Sequence, residues 1–304
     1  MKQLFIILFL LFLGKTFAQQ EAMFTHYSFN TIQVNPAYAG SREVTSATIL
    51  HRSQWVGFDG APITQTFTIN SPIFSNSLCA GLSVINDQIG PIQTSGIYAD
   101  LTYRLKLSEK TKLAVGLKGG GDWVQSNLED LTIINETDPL FNKVNSRFLP
   151  NVGAGVYLNN PKWYVGFSSP KVVESSISKN SVSSFDREQR HYWLIGGMIM
   201  KVSNTIKLKP TTFIKTTVGA PVQGDLTAMF IFKDKFELGI MGRTGDAVGG
   251  LLGYNFNTKL RLGYSFDWSF QNTTGMYNAG SHEVMLRYDI YNSLPNRIYS
   301  PRFF

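Results

Sequence analysis

The sequence predicts an all-β protein: a transmembrane up-and-down antiparallel β-barrel of about 14 strands. Three observations support this prediction: segments that alternate between apolar and polar side chains, connections whose length follows the order of the strands, and a secretory signal at the N-terminus. The composition agrees, because 27 Gly and 13% aromatic residues with only 16% charged residues suit closely spaced strands. A single cysteine excludes a framework of intramolecular disulfides.

The N-terminus is typical of a secretory signal peptide. Lys2 is followed by an apolar run over residues 4–13 and by Ala18 near a cleavage point. Lys15 interrupts this run well before the roughly 20 apolar residues that a membrane-spanning helix needs. We therefore expect residues 1–18 to be removed, with cleavage after Ala18. The formal charge of +7 falls by two with this segment, and the remaining basic residues are spread along the chain, which argues against a nucleic-acid partner.

Residues 19–41 are predicted to form a lead-in that precedes the barrel. Pro36 favours an extended Asn35, and Gly40 permits a turn, so the segment reads as ordered but not as a strand. We expect it at the periplasmic rim or inside the lumen, as a plug or as a docking element. The barrel is predicted to span 42–291, and 292–304 form a C-terminal tail.

Segments with strand patterning follow one another from the lead-in to the tail. In the last of them His282, Val284, Leu286, Tyr288 and Ile290 share a mostly apolar face, and Glu283, Met285, Arg287 and Asp289 share a mostly charged one. With an error of about two to four residues at each end, the segments are 43–53, 62–71, 77–86, 92–106, 111–124, 148–158, 162–168, 191–202, 205–217, 223–233, 235–243, 247–256, 259–269 and 281–291.

The connections differ in length according to the strand that they follow. Those after even-numbered strands include the tight turns Ser108-Glu109-Lys110, Asn159-Asn160-Pro161, Ser203-Asn204, Asp234-Lys235 and Asn257-Thr258. The long connections 125–147, 169–190 and 270–280 all follow odd-numbered strands. Outer-membrane barrels have short periplasmic turns at one rim and longer extracellular loops at the other. A soluble β-sandwich has Greek-key crossings and no reason to sort its loops in this way.

The apolar faces are predicted to contact lipid. The better strands reach the roughly nine to eleven residues that a tilted strand needs to cross the hydrocarbon. Aromatic residues lie near strand ends on the apolar face, where an interfacial girdle belongs: Tyr103, Trp163, Phe232, Tyr254, Phe256, Phe266, Trp268 and Tyr288. The opposite face carries charges of both signs that can pair inside a barrel: Asp100, Arg104, Lys118, Arg243, Arg261, Asp267, Glu283, Arg287 and Asp289.

The sequence predicts neither a metal site, nor a cofactor, nor an enzyme. The four histidines are far apart and lack the short fixed spacing of metal ligands, so we expect them at rims or strand ends. Asp59, Asp246 and the segment 281–283 could meet at the extracellular rim. Their spacing gives no pairing of a nucleophile with a base.

Two sequence blocks resemble the PorP/SprF family of the Bacteroidota type IX secretion and gliding machinery. They are QVNPAYAGS at 33–41 and RSQWVGFDGAP at 52–62, which is followed by Thr64-Gln65-Thr66. The resemblance extends over the mature chain through Gly81-Leu82-Ser83, Asn86-Asp87, Gly90-Pro91, Gly116-Leu117-Lys118-Gly119-Gly120, Gly280-Ser281-His282-Glu283 and Ser300-Pro301-Arg302-Phe303-Phe304.

The resemblance implies a non-enzymatic outer-membrane β-barrel that works with the type IX machinery. Members of the family are often paired with one very large surface protein, commonly an adhesin, and support its export or anchoring through its C-terminal sorting domain. The expected partners are therefore outer-membrane lipid, the type IX machinery and the C-terminal domain of such a protein. The alternatives from the residues are a channel or transporter for hydrophobic solutes and, third, a secreted soluble β-protein.

The two blocks also supply the candidate contact residues. The lead-in block either plugs the barrel and docks periplasmic partners or only seals the lower end of the barrel. The second block is expected on the extracellular rim, where its apolar side chains either contact the partner or tuck into the barrel mouth. The candidates are Asn35, Pro36, Tyr38 and Gly40 in the lead-in and Trp55, Phe58 and Asp59 on the rim.

Overall fold

A computed structural model of the chain describes residues 23–73, 77–126, 145–174, 189–218, 220–270 and 279–291. The predicted signal peptide, its cleavage point after Ala18 and the C-terminal tail lie outside these residues. So does most of each of the three long connections. Within the part that the structure describes, none of the helices has the length and apolarity needed to cross a bilayer.

Fifteen strands account for most of the described residues. They are β1 (Thr45–Ser53), β2 (Ile63–Pro72), β3 (Leu78–Ile89), β4 (Ile92–Lys106), β5 (Lys112–Ser126), β6 (Asn145–Asn159), β7 (Trp163–Ser169), β8 (His191–Met198), β9 (Met200–Lys201), β10 (Ile206–Thr217), β11 (Gln223–Phe232), β12 (Phe236–Arg243), β13 (Ala247–Asn255), β14 (Leu260–Ser269) and β15 (Ser281–Ile290).

The strands form one closed antiparallel sheet. Apart from β8 and β9, strands that are consecutive in sequence pair with each other, and β15 returns to pair with β1, Thr45 lying opposite Ile290. Strands β8 and β9 both pair with β10 and are two parts of one wall strand, interrupted at Ile199. The wall therefore has 14 positions, and the predicted fold class is confirmed.

Alternation along each strand separates the two surfaces of the wall. In β15 the outward side chains of Val284, Leu286, Tyr288 and Ile290 are between 41% and 45% exposed. Glu283, Met285 and Asp289 on the other face of the strand are buried inside the barrel. Because the apolar side chains face outward and the charged ones inward, the barrel has the arrangement of a protein surrounded by lipid.

The two rims of the barrel differ as the connection lengths predict. At one rim, in four of the five tight turns, a side-chain oxygen near the start of the turn accepts hydrogen bonds from two backbone N–H groups, which fixes the turn. These side chains belong to Ser108, Asn160, Ser203 and Asn257. We call this end the short-turn rim and the opposite end the long-loop rim. In outer-membrane barrels the short turns face the periplasm.

The described part of the lead-in, residues 23–41, runs through the inside of the barrel. It forms a one-turn helix, α1 (Thr31–Val34), and a 3-10 helix (Pro36–Tyr38), with Asn35 between them. The apolar core of the molecule lies where this segment meets the wall and includes Phe24, Tyr27 and Ile32. The core of the protein is thus the contact between lead-in and barrel, and not a layer between two sheets.

Candidate functional site

The backbone of the lead-in is held by side chains from strands around the barrel. A carbonyl in the middle of a barrel needs a donor to replace water, and wall residues supply it. The donated bonds run to five carbonyls: Arg243 to Phe24 at 2.9 Å, Lys118 to Ile32 at 3.3 Å, Ser168 to Val34 at 2.6 Å, Thr102 to Pro36 at 2.7 Å and Arg104 to Gly40 at 2.6 Å.

Asn35 is fully buried and joins the two short helices to the wall. Its Oδ1 accepts a hydrogen bond from the Ala37 N–H at 3.0 Å, which caps the 3-10 helix. Its Nδ2 donates to the Val156 carbonyl of β6, also at 3.0 Å. The wall makes room for this side chain with glycines, because a Cβ added at Gly155 or Gly166 would overlap the Asn35 amide.

The other lead-in candidates pack against the same side of the barrel. Pro36 and Ala37 lie over Gly116 of β5, where a Cβ would overlap their backbone. The Tyr38 ring meets Tyr157 edge to face at 5.6 Å between centroids. Gly40 has φ +69°, and an added Cβ would overlap the buried Cys79 side chain. All four lead-in candidates therefore lie inside the barrel, within or next to the 3-10 helix.

A buried ionic cluster holds the start of the lead-in, and we call it the Arg52 cluster: Thr25, His26, Arg52, Asp267 and Glu283. Arg52 of β1 binds both carboxylate oxygens of Asp267, at 2.8 and 2.9 Å. Glu283 accepts the backbone N–H groups of Thr25 and His26, each at 2.8 Å. Because these charges are nearly inaccessible to water, each depends on the others for compensation.

Aromatic packing holds the lead-in on the opposite side of the lumen. Tyr27 stacks on Phe213 of β10 with 3.8 Å between ring centroids and tilts against Trp193 of β8 at 5.8 Å. Burial holds the pKa of the Tyr27 phenol above its usual range. The phenol thus stays neutral across the physiological range, and this contact adds no charge to the lumen.

The second block lies on the long-loop rim. Trp55 is half-buried, with its backbone N–H and its Nε1 directed at the hydroxyls of Ser281 and Ser269, each at 3.3 Å. Val56 pairs through its backbone with Ala279 and Gly280, each bond being 2.8 Å. Phe58 and Asp59 are exposed. The rim candidates are therefore separated from the lead-in candidates, and Trp55 anchors the loop from which Phe58 and Asp59 project.

The grouping of Ser265, His26 and Glu283 is not a catalytic triad. Ser265 Oγ and Glu283 Oε1 both contact His26 Nδ1, at 3.3 and 2.7 Å, whereas a triad uses opposite nitrogens of the ring. All three residues are buried in the lumen. Among the described residues, no group of three or more His, Cys, Asp or Glu side chains is placed to hold a metal ion.

Several residues that position the lead-in could not be singled out from the sequence. The predicted rim or strand-end position is wrong for His26, which lies in the lumen beside Glu283 because the lead-in enters the barrel. Arg52 belongs to the second block, and alternation along β1 gives its inward position but not its partners. The wall glycines opposite Asn35 gave no signal, since strand glycines have many uses.

Together the fold and this site define an outer-membrane β-barrel whose interior is occupied by its own N-terminal segment. The lipid-facing exterior and the two unequal rims are properties of that class. Residues 16–288 match the family model described as type IX secretion system membrane protein PorP/SprF, and the chain belongs to that family. The family membership that the two sequence blocks predict is thereby confirmed.

Comparison with solved structures finds bacterial outer-membrane barrels. The CymD monoaromatic hydrocarbon channel aligns with a TM-score of 0.50 and 10% identity, over 87% of this chain and 99% of that one. Omp33 of Acinetobacter baumannii aligns at 0.43 and 12% identity, over 82% and 99%. The NanC porin aligns at 0.43 and 9% identity, over 82% and 100%. The CymD match supports the fold alone. Comparison with curated proteins finds no match.

Proposed function

We propose that this chain is a non-enzymatic outer-membrane component of the type IX secretion system that supports the export or surface anchoring of one large partner protein. The observation that carries the proposal is the lead-in inside the barrel. Its centre is bonded to the wall strands β4, β6 and β7, and Asn35, Ala37 and Ala39 are fully buried. A barrel occupied in this way suits a rigid platform for partners better than a conduit for solutes.

The surface proposed to receive the partner is the outer loop, residues 54–62, on the long-loop rim. Val56 and Phe58 are 38% and 45% exposed there, and exposed apolar groups on a braced loop are typical of contact sites. Trp55 has a left-handed φ of +48°, which costs a residue with a side chain about 1–2 kcal/mol. Its bonds toward Ser269 and Ser281 help to offset that cost and fix the direction in which Phe58 projects.

The partner's contact region is proposed to be its C-terminal sorting domain, as family membership suggests. The lead-in block 35–40 is then a structural element of the platform, with its four candidates serving the interior and not the partner directly. Cleavage after Ala18 remains a prediction that N-terminal sequencing of the mature protein can test. The channel alternative draws on the likeness to CymD, which at 10% identity carries the fold only.

A deletion strain complemented with point variants tests the proposal. Phe58→Ser should reduce surface retention of one large protein without changing the amount of folded barrel. Val222→Ser is the matched control, because Val222 is also an exposed apolar residue at the long-loop rim but lies between β10 and β11, remote in the wall order from the outer loop. Surface and medium proteomics would report the change. Equal retention in both variants would contradict the proposed contact surface.

A further inference from the structure

A cavity of about 350 Å³ opens at the short-turn rim, between the lead-in and strands β10 to β15. We call it the basic cavity. Its volume falls in the range of about 300–1,000 Å³ that is usual for small-molecule sites. Its charged lining residues are Arg42, Lys209, Lys233, Asp234, Lys235, Glu237, Lys259, Arg261, Arg287 and Asp289.

The basic cavity has a large surplus of positive charge. Seven of its described lining residues are Lys or Arg, and three are Asp or Glu. Each of the three acids already has a partner: Arg42 binds Asp289 at 2.7 Å, Arg261 pairs with Glu237, and Lys207 binds Asp234 at 2.6 Å. The acids are thus neutralised within the protein, and the described lining residues keep a formal charge of +4, from seven basic and three acidic side chains.

The deepest cations are buried, and two of them, Lys209 and Arg261, lie over the same Phe29 ring, at 4.9 and 3.7 Å from its centroid. Lys209, Arg261 and Arg287 are each less than a tenth exposed. The Arg261 Nε has no hydrogen-bond partner among the described residues. The Arg287 Nε is 4.0 Å from Asp289 Oδ1, an oxygen that also accepts from Ser46 at 2.7 Å. Buried like charges repel, so an anion bound among them would offset that repulsion.

Exposed lysines surround the mouth of the basic cavity. Lys233 and Lys235 lie on the turn between β11 and β12, and Lys259 lies on the turn between β13 and β14. An excess of one sign of charge at an entrance concentrates counter-ions and speeds their entry, and here three lysines outnumber Asp234. The cavity therefore has exposed lysines at its mouth, which attract anions, and buried cations at its inner end, which can bind them.

We propose that the basic cavity binds a soluble, multiply charged oxyanion of the phosphate class that enters from the periplasm. Phosphate oxygens suit the forked donors of arginine and the point charge of lysine together. The deep cations project from the inner face of the wall, so bilayer lipid on the outer face does not reach them. A free phosphate compound is thus a better fit than a phospholipid headgroup. This site is independent of the partner contact proposed for the outer loop.

Calorimetric titration of the purified full chain with pyrophosphate tests the proposal. We expect saturable binding at low ionic strength that weakens as salt is added. Lys209→Gln and Arg287→Gln should each weaken binding by about tenfold or more, the usual effect of losing a hydrogen bond to a charged group. The double variant Lys233→Gln/Lys235→Gln should weaken it less and show a smaller dependence on salt.

Two controls keep the outcome decisive. Lys110→Gln/Lys162→Gln changes two exposed lysines on other short turns, far around the barrel, and should bind as the unaltered protein does. The rim variants change exposed side chains only, so they remain informative if a buried variant fails to fold. Absence of saturable binding, or equal weakening by the control pair, would overturn the proposal.

A second arm distinguishes the source of the phosphate. The full chain is placed in nanodiscs of phosphatidylglycerol or of phosphatidylcholine, and pyrophosphate binding is measured in each. Equal affinity in the two bilayers supports a soluble ligand. Competition by phosphatidylglycerol that disappears in Lys209→Gln would show that the headgroup occupies the site and would overturn the soluble assignment.

Discussion

The lead-in and the outer loop both lie outside the strands and both contain aromatic residues, yet the barrel uses them in opposite ways. In the lead-in the polar side chain of Asn35 is fully buried, whereas in the outer loop the apolar side chain of Phe58 is 45% exposed. Gly40 lies against Cys79, whereas a Cβ at Gly57 would meet nothing within 4 Å. The lead-in therefore behaves as core and the outer loop as surface, although neither belongs to the strands of the wall.

The largest expected effect follows from removing the charge that anchors the lead-in. Arg52→Ala leaves Asp267 and Glu283 buried without their cation, and we expect a loss of about 3–5 kcal/mol in the free energy of unfolding. Urea unfolding in detergent, followed by tryptophan fluorescence, measures it. Lys201→Ala, which removes an exposed cation, is the control and should leave the midpoint unchanged. Equal unfolding midpoints for Arg52→Ala and Lys201→Ala would mean that the Arg52 cluster does not stabilise the fold, and the lead-in would then not be part of the core.

Matched glycine substitutions sharpen the comparison. Both Gly40 and Gly57 have positive φ, +69° and +92°, so alanine costs backbone strain of about 1–2 kcal/mol at either position. Only Gly40→Ala also forces Cys79 to move, which adds about 1–3 kcal/mol. The same unfolding assay should therefore rank Gly40→Ala well below Gly57→Ala in stability. A reversed order would mean that the Cys79 contact does not restrict the lead-in.

Removing the amide of Asn35 has a smaller expected effect. Asn35→Ala leaves the Ala37 N–H and the Val156 carbonyl without their bonds, which should cost about 1–3 kcal/mol. Asp59→Ala on the exposed outer loop is the comparison and should unfold like the unaltered barrel. If the unfolding midpoint of Asn35→Ala equalled that of Asp59→Ala, water would have to reach the Ala37 N–H and the Val156 carbonyl in the variant.

The smallest effect on stability is expected in the outer loop itself. Phe58→Ser removes an exposed ring, so the unfolding midpoint should not move, whereas retention of the partner protein should fall. Measuring both in the same strain separates a contact role from a structural one. A lowered midpoint with normal retention would assign Phe58 to the fold of the loop.

The wall of the barrel could be predicted from the sequence because each strand and each tight turn is determined by residues that are close together in the chain. Alternation in β15 assigns each side chain to a face, and the turn residues Ser108 and Asn257 mark the short-turn rim. Contacts between residues that are distant in sequence are not encoded in local patterns. Arg52 meets Glu283 only because β1 closes on β15, and neither strand contains a signal for that register.

The interior of the barrel was predicted less completely for the same reason. Turn chemistry indicated an ordered lead-in, but α1 is four residues long and too short to leave a helical period. The basic residues appear scattered along the chain, yet the fold brings seven of them to one cavity, from the lead-in and from strands and turns distant in sequence. Such clustering depends on which strands are neighbours, and composition does not contain it.

The measurement that tests the central claim most directly is the conductance of the purified full chain in a planar bilayer, beside a variant in which residues 35–40 are replaced by a flexible linker. If the lead-in is part of the barrel's interior, the full chain should give no steady conductance and the variant should conduct or flicker. Steady conductance of the full chain, equal to that of the variant, would contradict the account and favour a channel.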